Sequence, residues 1–145
     1  MADHNERWVL NHLIELCRDE ELALRSAADH VTDTTVRALF VELASRRAQF
    51  AAELTPHAQR LGGAEASDGT RRGAMHRRWV TVKDVLLGHS ERAFIEDAAS
   101  LERGALATFE EALDEMLPPT TRGLVEQQCA EVRMSHDRVR ALLLH

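Results

Sequence analysis

Apolar residues recur at steps of three and four along most of the chain, the spacing of one face of a helix. From about residue 6 to 31 they are Leu10, Leu13, Ile14, Cys17, Leu24, Ala27, Ala28 and Val31. The segment TDTT (32–35) then offers N-cap residues and a tight turn. A second helix is predicted over about 34–61, with Val36, Phe40, Leu43, Phe50, Leu54 and Leu61 on one side. Pro56 lies inside that pattern and is expected to kink or end the helix near its last turns. Gly62 and Gly63 follow as a helix stop.

Residues 62–73, GGAEASDGTRRG, form a polar, glycine-rich connection. A shorter amphipathic stretch over about 74–87 carries Met75, Trp79, Val82 and Leu86 on one face, with Arg71, Arg72, Arg77 and Arg78 as a solvated basic cluster. Ser90 can cap a helix over about 91–116, LPPTT breaks the chain, and a last helix covers about 120–144. No strand-like alternation and no repeat is present. The expectation is an all-α single domain over 1–145. Tight connections make the first and second helices antiparallel neighbours, and likewise the third and fourth. The long middle connection can cross the bundle and start the third helix beside the start of the second, which is the ferritin-like arrangement.

Composition changes this picture little. A chain of 145 residues, 44% hydrophobic and 29% charged, is long enough to bury its own core. A net charge of −6 argues against general nucleic-acid binding. No apolar run approaches the roughly 20 residues of a membrane span, and MADHNERWVLNHL lacks the layout of a signal peptide. The expected location is cytoplasmic. Cys17 and Cys129 both fall on apolar stripes and read as small buried hydrophobes.

Each stripe is interrupted by polar residues. On the first helix the stripe 10, 14, 17, 21, 24, 28, 31 is broken by Glu21, and the stripe 13, 17, 20, 24, 27, 31 by Glu20. The second helix is broken by Arg46 or Arg47, depending on phase. The third is broken by Glu102 and the fourth by His136. Glu21 lies 12 residues before Asp33 and Arg46 lies 13 after it, while Glu102 lies 16 before Pro118 and His136 lies 18 after it. At about 1.5 Å per residue these positions fall near one height. A polar layer across the core is therefore expected, with Glu21 as the inward acid of the first helix.

Carboxylates and imidazole facing into a bundle can hold two iron or manganese ions, with one Glu from each of two helices and Glu-x-x-His from each of the other two. Glu21, Glu102 and His136 are the candidate ligands, with Glu20, Glu42 and Glu131 as weaker ones. The rest of the pattern is missing. Arg133 stands three residues before His136, and the second helix has no matching histidine. The competing reading is a buried ion network in which Arg46, helped by Arg133, pairs with the acids. The ligand count favours the network.

The stretches LNHLIELCRDEELALRSAADHV, ALFVELASRRAQFAAEL and LPPTTRGLVEQQCAEVRMSHDRVRALL resemble an uncharacterised bacterial family of ferritin-like four-helix-bundle proteins, distantly related to rubrerythrin-type bundles. The resemblance implies a ferritin-like fold. It places Glu21 at the acid of the family's first helix and His136 in its His-Asp-Arg ending, and it implies no established activity. Two functions follow as expectations. One is a non-catalytic bundle in a stress-related setting, without a cofactor, acting as a homodimer or on a protein partner through its outer faces. The other is a carboxylate-bridged metalloprotein that binds iron, or acts as an oxidase or on peroxide. No nucleophile with its base, phosphate-cradling glycine loop or cysteine zinc cluster is present.

Overall fold

Four helices make up nearly all of the computed structural model, which describes residues 2–62 and 90–144. They are α1 (Ala2–Ala28), α2 (Thr34–Arg60), α3 (Glu91–Ala112) and α4 (Pro119–Leu142). No strand occurs among the described residues. The short helix expected over 74–87, with Trp79 and its arginines, lies outside them.

The turn between α1 and α2 is built by local polar chemistry. Asp33 sits in extended backbone, and its Oδ1 accepts from Thr35 N at 2.8 Å and Val36 N at 3.0 Å, covering two orphan donors of α2. Arg37 donates back to the carbonyls of Ala28 at 3.2 Å and Val31 at 2.6 Å, covering the exit from α1. These contacts end α1 at Ala28, three residues short of the expected limit. Glu91 then ties the first residue of α3 to the same turn. Its Oε1 accepts from the Thr32 amide and hydroxyl and from Asp33 N at 3.0 Å.

At the opposite end, Arg122 donates to the carbonyls of Leu113 at 2.8 Å and Glu115 at 2.7 Å, so α3 stops at Ala112 rather than near Met116. Pro118 precedes α4 and Pro119 opens it, where a missing amide donor costs little. Pro56 lies in the last turns of α2, which continues past it to Arg60, one residue short of the expected limit. A proline this close to a helix end removes only one bond from a ladder already finishing. The turn that follows is held to α4 by the His57 ring and the Thr121 hydroxyl, 2.7 Å apart. Gly62, at φ 84°, closes the helix in the left-handed conformation that favours glycine.

These contacts set the directions. α3 begins where α2 begins, and α4 begins where α2 ends, so the order is up, down, down, up. α1 packs on α2 and α3, and α4 packs on α3 and α2, every adjacent pair being antiparallel. Among the described residues the buried apolar side chains fall into two clusters. One contains Leu10, Leu13, Phe50, Leu54, Phe109 and Val125, with Phe50 and Phe109 edge to face at 6.2 Å. The other contains Leu24, Val31, Phe40, Phe94, Ala98 and Val139. Each fully buried Leu or Phe contributes roughly 1.5–3 kcal/mol. None of the described helices is long and apolar enough to cross a membrane.

Candidate functional site

Between the two apolar clusters lies a polar layer to which each of the four described helices contributes. α1 supplies Glu20, α2 Arg47, α3 Glu102 and α4 Ser135, all buried, with Glu20 and Arg47 each 1% exposed and Glu102 fully covered. Arg47 is the hub. Its Nε donates to Glu20 Oε1 at 3.0 Å, and its Nη2 donates to Glu102 Oε1 at 2.5 Å and to Ser135 Oγ at 3.2 Å. The Ser135 hydroxyl in turn donates to Glu102 Oε1. Below the guanidinium, its carbon lies 5.3 Å from the centre of the Phe50 ring, a cation–π contact that suits a charge cut off from water.

Two carboxylates face one guanidinium, and burial opposes every charge in the layer. Burial is the largest influence on Glu20 and, with the neighbouring Glu102, outweighs Arg47 and pushes its carboxyl up to about 8. For Arg47 burial works against the charge, yet Glu102 and Glu20 together hold its pKa above the ordinary value. Cys17, one turn before Glu20, is fully buried, and burial followed by Glu20 raises its thiol far above the usual range. Burial also raises Cys129. Neither cysteine is poised as a thiolate.

The expected residues divide sharply between core and surface. Glu102 lies in the layer as expected. Glu21 does not: it is paired with Arg25 at 3.1 Å on the outer face of α1, and its neighbour Glu20 takes the inward place. On α2 the inward residue is Arg47. Arg46 lies toward solvent and pairs with Glu131 at 2.6 Å instead of with the buried acids. Arg133 pairs with Glu110 at 2.8 Å on the surface, and Glu42 pairs with Arg138 at 2.7 Å. His136 stands at the edge, with Nδ1 3.5 Å from its exposed neighbour Asp137 and Nε2 buried without a partner. Ser135, one position earlier, enters the layer, and the sequence reading passed over it. Glu20, Arg47 and Ser135 each stand one residue from the expected inward position, and one residue along a helix is a turn of about 100°.

The donor set does not fit a two-metal centre of the bundle type. Both inward carboxylates already accept from Arg47, α2 brings a cation where a ligand is needed, and α4 brings a hydroxyl. Among the described residues, no three of His, Cys, Asp or Glu come together to hold a metal ion.

Hollows open on the surface of the described residues. One, of about 220 Å³, lies between α2 and α4 and has Arg47, Phe50 and Ser135 among its walls. Two ion pairs cross from α2 to α4 around it, Arg46–Glu131 and Arg138–Glu42. Another, of about 550 Å³, lies between the start of α1 and the end of α3. There Trp8, 55% exposed, stacks on His12 at 5.1 Å near Glu111 and Asp114.

The chain belongs to a family described as a domain of unknown function (DUF2383), whose model matches residues 6–115. That match takes in Glu20, Arg47 and Glu102 and ends before Ser135. No curated protein matches the chain.

Proposed function

We propose that this DUF2383 member is a non-catalytic bundle of ferritin-like topology, in which a buried ion network stands where related architectures hold metal. The up, down, down, up order with a long second connection supports the ferritin-like assignment. One observation carries the functional reading. The Arg47 guanidinium lies between Glu20 and Glu102, bonded to both, and supplies the positive charge that a metal pair would otherwise bring. The layer then fixes helix register, since only one alignment of four helices places all its members at one height. A buried ionic network of this kind adds little net stability, and its role in this bundle is to set the register of the four helices. The protein works through its outer faces, on a protein partner or a second copy of itself, in keeping with its acidic charge and the exposed Trp8.

Metal content of the purified protein, measured by mass spectrometry and followed by aerobic Fe(II) titration in the near ultraviolet, tests the reading. Metal well below one ion per chain and no oxidation signal are expected. About two iron or manganese ions per chain, lost in Glu20→Ala and Glu102→Ala, would sink it.

A further inference from the structure

We propose that the layer carries one proton shared between Glu20 and Glu102, exchanged with solvent through the hollow between α2 and α4, and that the seam between these helices loosens when the proton leaves. The inference rests on the reading that Arg47 is the resident cation of the layer. Charge inventory is its first support. The groups that act on Glu20 are Asp19 from α1, Arg47 from α2 and Glu102 from α3, with Cys17 of α1 close enough to feel its charge, while α4 presents the neutral Ser135 to Arg47 and Glu102. Within the bonded set of Glu20, Arg47 and Glu102, two ionised carboxylates against one guanidinium would leave a net negative charge between two apolar clusters. A buried charge without a partner neutralises by binding a proton rather than bearing the cost of desolvation.

Geometry offers the proton a place. Glu102 Oε1 already accepts from Arg47 and Ser135, while Glu102 Oε2 is buried with no hydrogen-bond partner. A metal ion would need several free oxygens around it, whereas a proton needs one lone pair. The raised pKa of Glu20 agrees with this count. Geometry also offers a route, because the hollow of about 220 Å³ between α2 and α4 reaches Arg47 and Ser135. Arg46–Glu131 and Arg138–Glu42 brace the same seam from outside. Loss of the proton leaves a negative charge that water entering by this route would solvate, at the expense of close packing between α2 and α4.

Infrared spectroscopy of the carboxyl C=O stretch tests the shared proton on the intact protein. A protonated-carboxyl band is expected in neutral buffer and should vanish in strongly alkaline buffer. Glu20→Gln and Glu102→Gln should each abolish it, because either change leaves one carboxylate matched to one guanidinium. An isolated acid of raised pKa would lose its band in only one of the two variants. Absence of the band from the wild type at neutral pH, or its survival in either variant, overturns the proposal, and the wild-type titration stands even if a variant fails to fold. Amide exchange over 43–50 and 131–138, corrected for its intrinsic pH dependence, tests the seam. It should rise severalfold in the wild type across the titration and stay flat in Glu20→Gln; equal behaviour overturns that part. Metal content of the same samples separates the two readings. Bound metal would overturn the function proposed above, while a metal-free protein without the band would overturn only the shared proton.

Discussion

Arg46 and Arg47 are adjacent in α2, and their guanidinium carbons lie at nearly equal distances from the Phe50 ring, 5.2 and 5.3 Å, yet their surroundings differ completely. The Arg47 side chain is 1% exposed and holds two carboxylates, while that of Arg46 is 33% exposed and holds Glu131 in water. The Phe50 ring thus lies within reach of both guanidinium groups and is itself among the walls of the hollow between α2 and α4.

Truncating these two arginines should therefore give very different results. Arg47→Ala leaves two carboxylates buried without a counter-charge, and breaking such a network costs about 3–5 kcal/mol. Arg46→Ala removes an exposed pair worth about 0–1 kcal/mol. Urea denaturation monitored by circular dichroism measures both. Comparable losses would show that Arg47 is not the hub.

The same contrast applies to the acids of α1. Glu20→Ala leaves Arg47 with Glu102 alone and opens space in the layer, so a loss of about 2–4 kcal/mol is expected. Glu21→Ala removes a helical pair with Arg25 and should change stability by no more than about 0.5 kcal/mol. Equal effects in the same denaturation assay would contradict the orientation of α1.

Why this contrast was hidden in the sequence is a matter of helix geometry. Long runs at the helical period, with Asp33 and the prolines as punctuation, made four helices and their tight hairpins legible. The height of the layer was legible too, because residues counted from each turn convert directly into distance along the axis. Rotation was not. Leu10, Ile14, Leu13, Ala27 and Ala28 are all buried, so the apolar arc of α1 is wide enough to hold both candidate stripes. Which acid turns inward is then decided by the cation opposite, on another helix. Glu102 escaped the ambiguity because Ala98, Ala105 and Phe109 bracket it within one narrow stripe. Ser135 was passed over because a serine in a helix reads as surface, although Val125, Val132 and Val139 set the spacing that includes it.

Replacing the whole network should cost far less than breaking it. With Glu20, Arg47 and Glu102 changed together to leucine or methionine of matched volume, no charge is left unpaired. Such exchanges are often neutral or stabilising by about 1–4 kcal/mol. If register specificity is the role of the layer, the triple variant should keep its melting temperature but broaden its NMR signals as alternative helix alignments become populated. A variant both more stable and as sharply resolved as the wild type would rule that role out.

The turn that joins three helices offers a test at the other end of the bundle. Asp33 caps α2, and Glu91 fastens α3 to the same backbone. Hydrogen bonding from Thr32, with a further bond from Asp33 N, holds the Glu91 carboxyl below the usual range. Asp33→Ala should cost about 1 kcal/mol, as lost caps do. Glu91→Gln should have a smaller effect that disappears in acid, once wild-type Glu91 is itself protonated. Thermal denaturation of the three proteins at neutral and acid pH checks this. An Asp33→Ala protein as stable as the wild type would show that the cap is not used.

Stability should also depend on pH in a direction set by the layer. The folded protein holds Glu20 at about 8, against 4.5 for the free side chain, so in this window the native state binds a proton that the unfolded chain has released. Its contribution is thus fully present below about 4.5 and is lost as pH rises toward about 8, with a slope of at most ~1.4 kcal/mol per pH unit. His57 acts on the acid side. Burial and then Arg60 lower its pKa, in keeping with a ring Nδ1 that Arg60 and Thr121 approach at 2.8 and 2.7 Å. Its contribution is therefore present above the free value of 6.5 and is lost as pH falls below it. Exposed acids held low by hydrogen bonds, Glu42 by Arg138 and Glu91 by Thr32, act in the same sense at still lower pH. Melting temperature measured from about pH 5 to about pH 9 should decline between about 6.5 and about 8 and level off above that. Glu20→Gln should flatten the decline, while Glu21→Gln should leave it unchanged. A decline of equal slope in Glu20→Gln would mean that the titrating group lies outside the layer.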